Sequence, residues 1–158
     1  MQPNPRTAVV TPALAGGARE SIRRRMDPDE YHAIRQLWIA HSIAEEAHDI
    51  PGLMATLTED CVYTVANKRV SWHSKAGATQ FYQQLLTTFP DIHFDLQNIV
   101  IGPQGVFEEA FATGTYQSQW LDLPSPNGQQ LEFAVTILFP WDPKQYLFIG
   151  ERIYFHMK

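Results

Sequence analysis

Glu151, His41 and Glu109 are the residues of this chain whose types and settings suit proton transfer. Glu151 lies in YLFIGERIYF (Tyr146 to Phe155), a run rich in aromatic and β-branched residues that follows a Trp141-Asp142-Pro143 turn signal. Period two puts Ile149, Glu151, Ile153 and Phe155 on one face of that strand, and Phe148, Gly150, Arg152, Tyr154 and His156 on the other. Both faces are largely apolar, as in a central strand covered on two sides. A carboxylate among such neighbours is either ion-paired or has a raised pKa. His41 stands one helical turn beyond Trp38, where it can serve as a general base near neutral pH or be a buried histidine satisfied by a backbone group. Glu109 shares a strand face with Phe111, Thr113 and Thr115. The structural alternative for both acids is an ion pair with Arg35 or Arg152.

Around these stand side chains that can hold a substrate or simply fill a core. Tyr63, Tyr116 and Trp120 can orient a hydroxyl or carbonyl, with aromatic core as the equal alternative. Trp38 is a ligand platform or a core residue. His93 alternates with Asp95 and Gln97, the pattern of a solvated face. No metal site is expected, because His32 and His41 lack helical ligand spacing and neither His-x-His nor Cys-x-x-Cys occurs. Neither a Gly-rich phosphate loop nor a Gly-x-Ser-x-Gly elbow is present, and no cofactor is expected.

With 158 residues the chain suits one domain with a real core. A formal charge of −5 argues against nucleic acid as the main partner. The single cysteine, Cys61, excludes an internal disulfide and fits a reducing, cytoplasmic compartment. No apolar run approaches the ~20 residues that span a bilayer. Residues 1–26, rich in Pro, Gly, Ala and Arg, read as a flexible arm preceding a single domain over 27–158. Within the arm, Ala8 to Ala18 is broken by Pro12 and is a poor signal-peptide core, and Arg23-Arg24-Arg25 reads as a solvated run.

Three helices must position the candidates from one side. Asp27 as N-cap, Pro28 and Glu30 open the first, which carries Tyr31, Ile34, Trp38 and His41 on one stripe and ends near Ala47. Gly52 to Leu57 follows, and then a helix capped by Ser74 and running through Thr88, packed by Phe81, Tyr82, Leu85 and Leu86. Short strands are expected at Cys61 to Val65 and Val70 to His73. Four long ones follow at Ile92 to Ile101, Val106 to Trp120, Gln129 to Pro140 and Tyr146 to Phe155. Helices first and then antiparallel strands make an α+β layout. A twisted sheet of this kind curls around the first helix and leaves a cavity.

The segments Ala47-His48-Asp49 through Leu57, TEDCVYTV (Thr58 to Val65), FPDIHF (Phe89 to Phe94), GTY (Gly114 to Tyr116) and GERIYF (Gly150 to Phe155) resemble the nuclear-transport-factor-2-like cone over roughly residues 30–156. Within it they are similar to the SnoaL-like polyketide cyclase and ester cyclase group. The resemblance implies a cystatin-like α+β cone, a mostly antiparallel curved sheet wrapped around the N-terminal helix. The same fold hosts limonene epoxide hydrolase, whose water-holding Tyr falls on Tyr63; its Asn, Arg and Asp positions carry Val65, Phe111, Thr113 and Ile153 here, which removes that mechanism. The family register sends the Glu109 and Phe111 face inward, so that Glu109 and Glu151 would share the cavity. A catalytic His of dehydratase and dehydrochlorinase relatives falls near His93. Two departures from the cyclase pattern are Tyr116, where a His often follows GT, and His156, where an Asp follows ERxYF. His156 reads as a structural change, with a place in the pocket as the alternative.

These readings converge on a small hydrophobic or aromatic molecule held in an apolar pocket by Tyr63, Trp38, Tyr116, Trp120, Phe111, His93, Ile153 and His156. Glu151, His41 or Glu109 would transfer a proton without a cofactor. The alternative is a non-catalytic ligand-binding or assembly module. A homodimer is expected through the outer face of the sheet, where Phe148 and Tyr154 would otherwise be exposed.

Overall fold

The computed structural model describes residue 20 and residues 23–158. Most of the arm, residues 1–19, 21 and 22, lies outside the described residues. Of the arginine run, Arg24 is not free in solvent: its guanidinium pairs with Glu30 and donates to the Pro103 carbonyl.

Helix α1 spans Pro28–Glu46. Asp27 caps it, its Oδ1 accepting the Glu30 N–H at 2.8 Å, and Pro28 occupies the first turn, where no N–H is needed. Glu30 does not close a capping box. Its carboxylate accepts the Trp141 indole N–H at 2.9 Å and so ties the start of the helix to the sheet. Ile34, His41 and Ala44 form the buried stripe, whereas Tyr31 lies exposed off its edge. Helix α2, Ile50–Ala55, begins two residues earlier than Gly52 because Asp49 takes the cap, accepting from the Gly52 N–H. Helix α3, Ser74–Thr88, has His73 and not Ser74 at its cap position. It buries Ala78, Phe81, Tyr82 and Leu85.

The strands are β1 Leu57–Val65, β2 Val70–His73, β3 His93–Gly102, β4 Gly105–Thr115, β5 Gln130–Asp142 and β6 Leu147–Met157. They form one curved, unclosed sheet in the order β2-β1-β6-β5-β4-β3. β1 and β6 run parallel and every other neighbour pair is antiparallel, so the sheet is mixed. The helices cover its concave side, giving the expected α+β cone. The core is aromatic, with Tyr63, Tyr82, Phe89, Phe139 and Phe148 almost fully buried. None of the helices among the described residues is long and apolar enough to cross a membrane.

Strand β6 is central, but its outer face is open: Arg152, Tyr154 and His156 are exposed. Its alternation breaks at Gly150, whose φ is +126°. Upstream of the break Phe148 is buried and Ile149 exposed, the reverse of simple period two; downstream, Glu151, Ile153 and Phe155 point inward as expected. The partner register shifts on both sides of this point, in β1 between Leu57 and Val62 and in β5 between Leu138 and Trp141. Such a bulge re-aims the residues beyond it. Continued alternation from Phe148 would have turned Arg152 inward and Glu151 out to solvent. A Cβ at Gly150 would lie 2.0 Å from the Val62 carbonyl oxygen, so this turn of the backbone requires glycine.

Candidate active site

Four elements bring one polar cluster together inside the apolar core. Helix α1 supplies His41, the turn after α2 supplies Thr56, α3 supplies Tyr82, and the paired strands β1 and β6 supply Tyr63 and Glu151. His41 Nδ1 lies 2.7 Å from Thr56 Oγ1, and its Nε2 lies 3.0 Å from Glu151 Oε1 and 3.2 Å from the Tyr82 hydroxyl. Tyr82 donates to Glu151 Oε1 at 2.8 Å, and the Tyr63 hydroxyl sits 3.2 Å from that of Tyr82. His41 is fully buried and Glu151 is 3% exposed. Phe139 and Phe148 meet the imidazole edge-on, at 5.3 and 6.2 Å between ring centroids. Burial, reinforced by the Glu151 charge, pushes both tyrosine hydroxyls well above their ordinary pKa, so they act as neutral hydrogen-bond groups.

Glu151 forms part of the wall of a cavity of about 40 Å³. The other walls are mostly rings and aliphatic chains, among them Phe81, Phe89, Trp120, Phe133, Ile153 and Phe155. That volume has room for roughly three waters. Glu45, one turn beyond His41 on α1, lines the same cavity. Its carboxyl is held well above the usual carboxylate range, first by burial and then by the charges of Glu151 and Glu108. A second hollow of about 90 Å³ opens between α1 and strands β3 and β4, and Glu45 and Phe94 border both spaces. Trp38 and Glu108 line this outer hollow, the indole N–H donating to Glu108 Oε2 at 2.8 Å. Burial raises Glu108 from 4.5 to about 7; the Trp38 hydrogen bond opposes that rise and the Glu151 charge adds to it.

The arrangement thus sets two carboxyl groups on one apolar cavity, Glu45 with its pKa raised by burial and Glu151 hydrogen-bonded to an imidazole. That division of acid and base is what proton transfer requires. Neither Glu151 nor Glu109 pairs with Arg35 or Arg152: Arg35 is exposed, and Arg152 Nε donates to the Tyr154 hydroxyl on the outer face. Among the described residues, one candidate ligand atom from each of His41, Glu45 and Glu151 lies within 4.8 Å of the others.

Of the candidates read from sequence, Glu151, His41 and Tyr63 meet in the cluster, Trp120 and Ile153 line the cavity, and Trp38 lines only the neighbouring hollow. The others lie elsewhere. Glu109 is exposed and accepts from Asn98 Nδ2 at 2.9 Å, because β4 points Glu108, Ala110 and Ala112 inward, one residue out of phase with the expected face. Phe111 follows Glu109 to the outer face, where Lys158 Nζ sits 3.6 Å from its ring centroid. His93 is exposed beside Glu46, at 3.2 Å, and His156 is exposed at the end of β6. Tyr116 is buried but stacks on Phe89 and accepts the Trp120 backbone N–H with its hydroxyl, away from the cavity. Sequence reading missed Glu45, Glu108, Tyr82 and Thr56. Glu45 carried a signal, since it continues the Trp38 and His41 stripe at helical spacing.

Helices packed on the concave side of a curved, unclosed mixed sheet make an α+β cone. Within it, the family model for SnoaL-like polyketide cyclase matches residues 31–143, and the chain belongs to that family. No curated protein matches its sequence. Among solved structures, one designated a SnoaL-like polyketide cyclase from Jannaschia sp. CCS1 superposes with a TM-score of 0.69 at 19% identity, over 84% of this chain and 90% of that one. Another so designated, from Shewanella denitrificans OS-217, gives 0.68 at 13% identity, over 82% and 92%. AclR from Streptomyces galilaeus, which carries the designation hydroxylase, gives 0.63 at 18% identity, over 79% of each chain. At these identities the likeness is one of fold.

Proposed function

We propose that the protein takes a small, neutral, hydrophobic or aromatic molecule into the cavity and moves a proton on it without a cofactor, as a cyclase or isomerase does. The observation that carries this reading is the buried His41–Glu151 pair, hydrogen-bonded to Tyr82 and set in the wall of an otherwise apolar cavity beside Glu45, whose pKa burial raises. Stability is a poor reason for such a cluster, because well-packed apolar residues would serve the core equally well or better. In the reaction, Glu151 takes a proton from a carbon next to a carbonyl, and the electron pair moves onto oxygen as Glu45 gives its proton to that oxygen. The enol so formed can return a proton at another carbon or attack an electrophile within the same molecule. Carboxyl groups on the wall, and aromatic rings elsewhere, favour a neutral substrate over an anionic one.

Solvent deuterium incorporation tests this with simple ketones in place of the natural substrate. Acetone incubated with protein in deuterium oxide should exchange its α-protons, and Glu151→Gln should abolish the catalysed exchange. Equal exchange in both proteins would remove Glu151 from the mechanism.

A second reading is a ligand-binding module without turnover. It predicts that small apolar ligands raise the melting temperature while no exchange occurs. We also propose a homodimer formed through the outer sheet face, in a reducing, cytoplasmic setting that suits the buried thiol of Cys61. Val100 pairs with Phe107, and Tyr154 lies two strands over, all exposed; Phe148, expected on this face, is buried instead. A stable monomer in sedimentation at micromolar concentration would refute the dimer.

A further inference from the structure

We infer that Thr56 is the positioning residue that fixes the tautomer of His41 and thereby confines the one mobile proton of the His41–Glu151 pair to the gap between His41 Nε2 and Glu151. The inference rests on reading Glu151 as the proton-transfer group. Thr56 carries a single hydroxyl hydrogen, and the Leu53 carbonyl, 2.7 Å from Oγ1, takes it. Only lone pairs then remain on Oγ1 to face His41 Nδ1, 2.7 Å away, so Nδ1 must bear a hydrogen and donate it. The same counting fixes the other side of the ring. Tyr82 gives its hydrogen to Glu151 Oε1, so Tyr63 donates to the Tyr82 oxygen. Every hydrogen of the cluster is then placed except one, which lies between Nε2 and Oε1 across 3.0 Å.

Chemically, this makes His41 and Glu151 one unit of zero net charge in an apolar wall. The imidazole can keep its Nε2–H directed at Glu151 while the carboxylate takes a proton from the cavity side. Thr56 touches neither cavity nor substrate; it acts through the histidine. Without the threonine oxygen, a hydrogen on Nδ1 would be buried and unpaired, so the ring would shed it and Glu151 would face a neutral histidine with its only hydrogen on Nε2.

Thr56→Val keeps the shape and removes the acceptor, while Thr56→Ser keeps the acceptor. Two-bond proton–nitrogen correlation spectra of the full chain read the His41 tautomer with no substrate present. The wild-type protein and Thr56→Ser should show a protonated Nδ1, and Thr56→Val a bare one. In acetone deuterium exchange, Thr56→Val should lose about tenfold or more in kcat with KM little changed, because Glu151 then faces a neutral imidazole and the proton-sharing pair is broken, and Thr56→Ser should recover most of it. A bare Nδ1 in the wild-type protein, or an unchanged tautomer in Thr56→Val, would overturn the assignment. Should the tautomers behave as stated while no form exchanges deuterium, the role of Thr56 stands and the catalytic reading of Glu151 falls.

Discussion

Replacing Glu108 by Gln should remove the Glu108 share of a pH dependence of stability that the wild-type protein carries between pH 5 and 8. Burial lifts this carboxyl from 4.5 to about 7 in the folded chain. The folded state therefore holds its proton where the unfolded state has lost it, and the resulting stability is fully present below about pH 4.5 and lost as pH rises through about 7. At 1.36 kcal/mol per pH unit, that displacement corresponds to roughly 3 kcal/mol. Gln cannot ionise, yet its side-chain oxygen can still accept the Trp38 indole N–H that Glu108 Oε2 accepts at 2.8 Å. Glu45, raised for the same reasons, tilts both proteins in the same direction, so the difference between them isolates Glu108 apart from its coupling to Glu45 and Glu151. Urea denaturation at pH 5, 6, 7 and 8 should show wild type falling relative to Glu108→Gln by about 2.5 kcal/mol across the range. Thermal melts at pH 8 should place the variant roughly 10 °C above wild type for a chain of this size. Parallel stability curves for the two proteins would refute the claim that Glu108 is buried as a neutral acid.

Tyr82→Phe removes the hydroxyl shared by Glu151, His41 and Tyr63, leaves the Tyr63 hydroxyl buried without that acceptor, and should cost about 1–3 kcal/mol in denaturant titration. Asp27→Ala deletes the N-cap of α1 and should cost about 1 kcal/mol by the same measurement, with no change in the tautomer of His41. Glu45→Gln should slow ketone deuterium exchange by about 10²–10⁴-fold, because the amide cannot supply the proton that Glu45 holds. Gly150→Ala would set a methyl group 2.0 Å from the Val62 carbonyl oxygen at a φ of +126°, and should yield insoluble protein or a melting temperature far below wild type.

What the sequence made legible, and what it hid, divides along periodicity. The cap at Asp27, the helical stripe through Ile34 and His41, and the turns between long strands all depend on neighbours in the chain, and each falls within a few residues of its expected place. Strand phase does not depend on neighbours alone. Glu108 and Glu109 are adjacent acids in an alternating strand, and nothing local says which faces inward. The pairing of Glu109 with Thr136 and of Glu108 with Ile137 decides it, and burial follows the Ile137 row. The bulge at Gly150 was visible only as a glycine within a strand, a mark that allows a bulge without specifying its effect. Its effect was decisive for the site, because it buries Phe148 above the break and turns Glu151 inward below it. Glu151 thus came out on the expected face for a reason the alternation did not contain: period two counted from Phe155 gives the right face, and counted from Phe148 gives the wrong one. Thr56 and Tyr82 were hidden more deeply. Their part in the cluster is set by hydrogen bonds to His41 and Glu151, partners 15 and 69 residues away, and no spacing rule along the chain joins a helix end, a second helix and the last strand into one proton-sharing group.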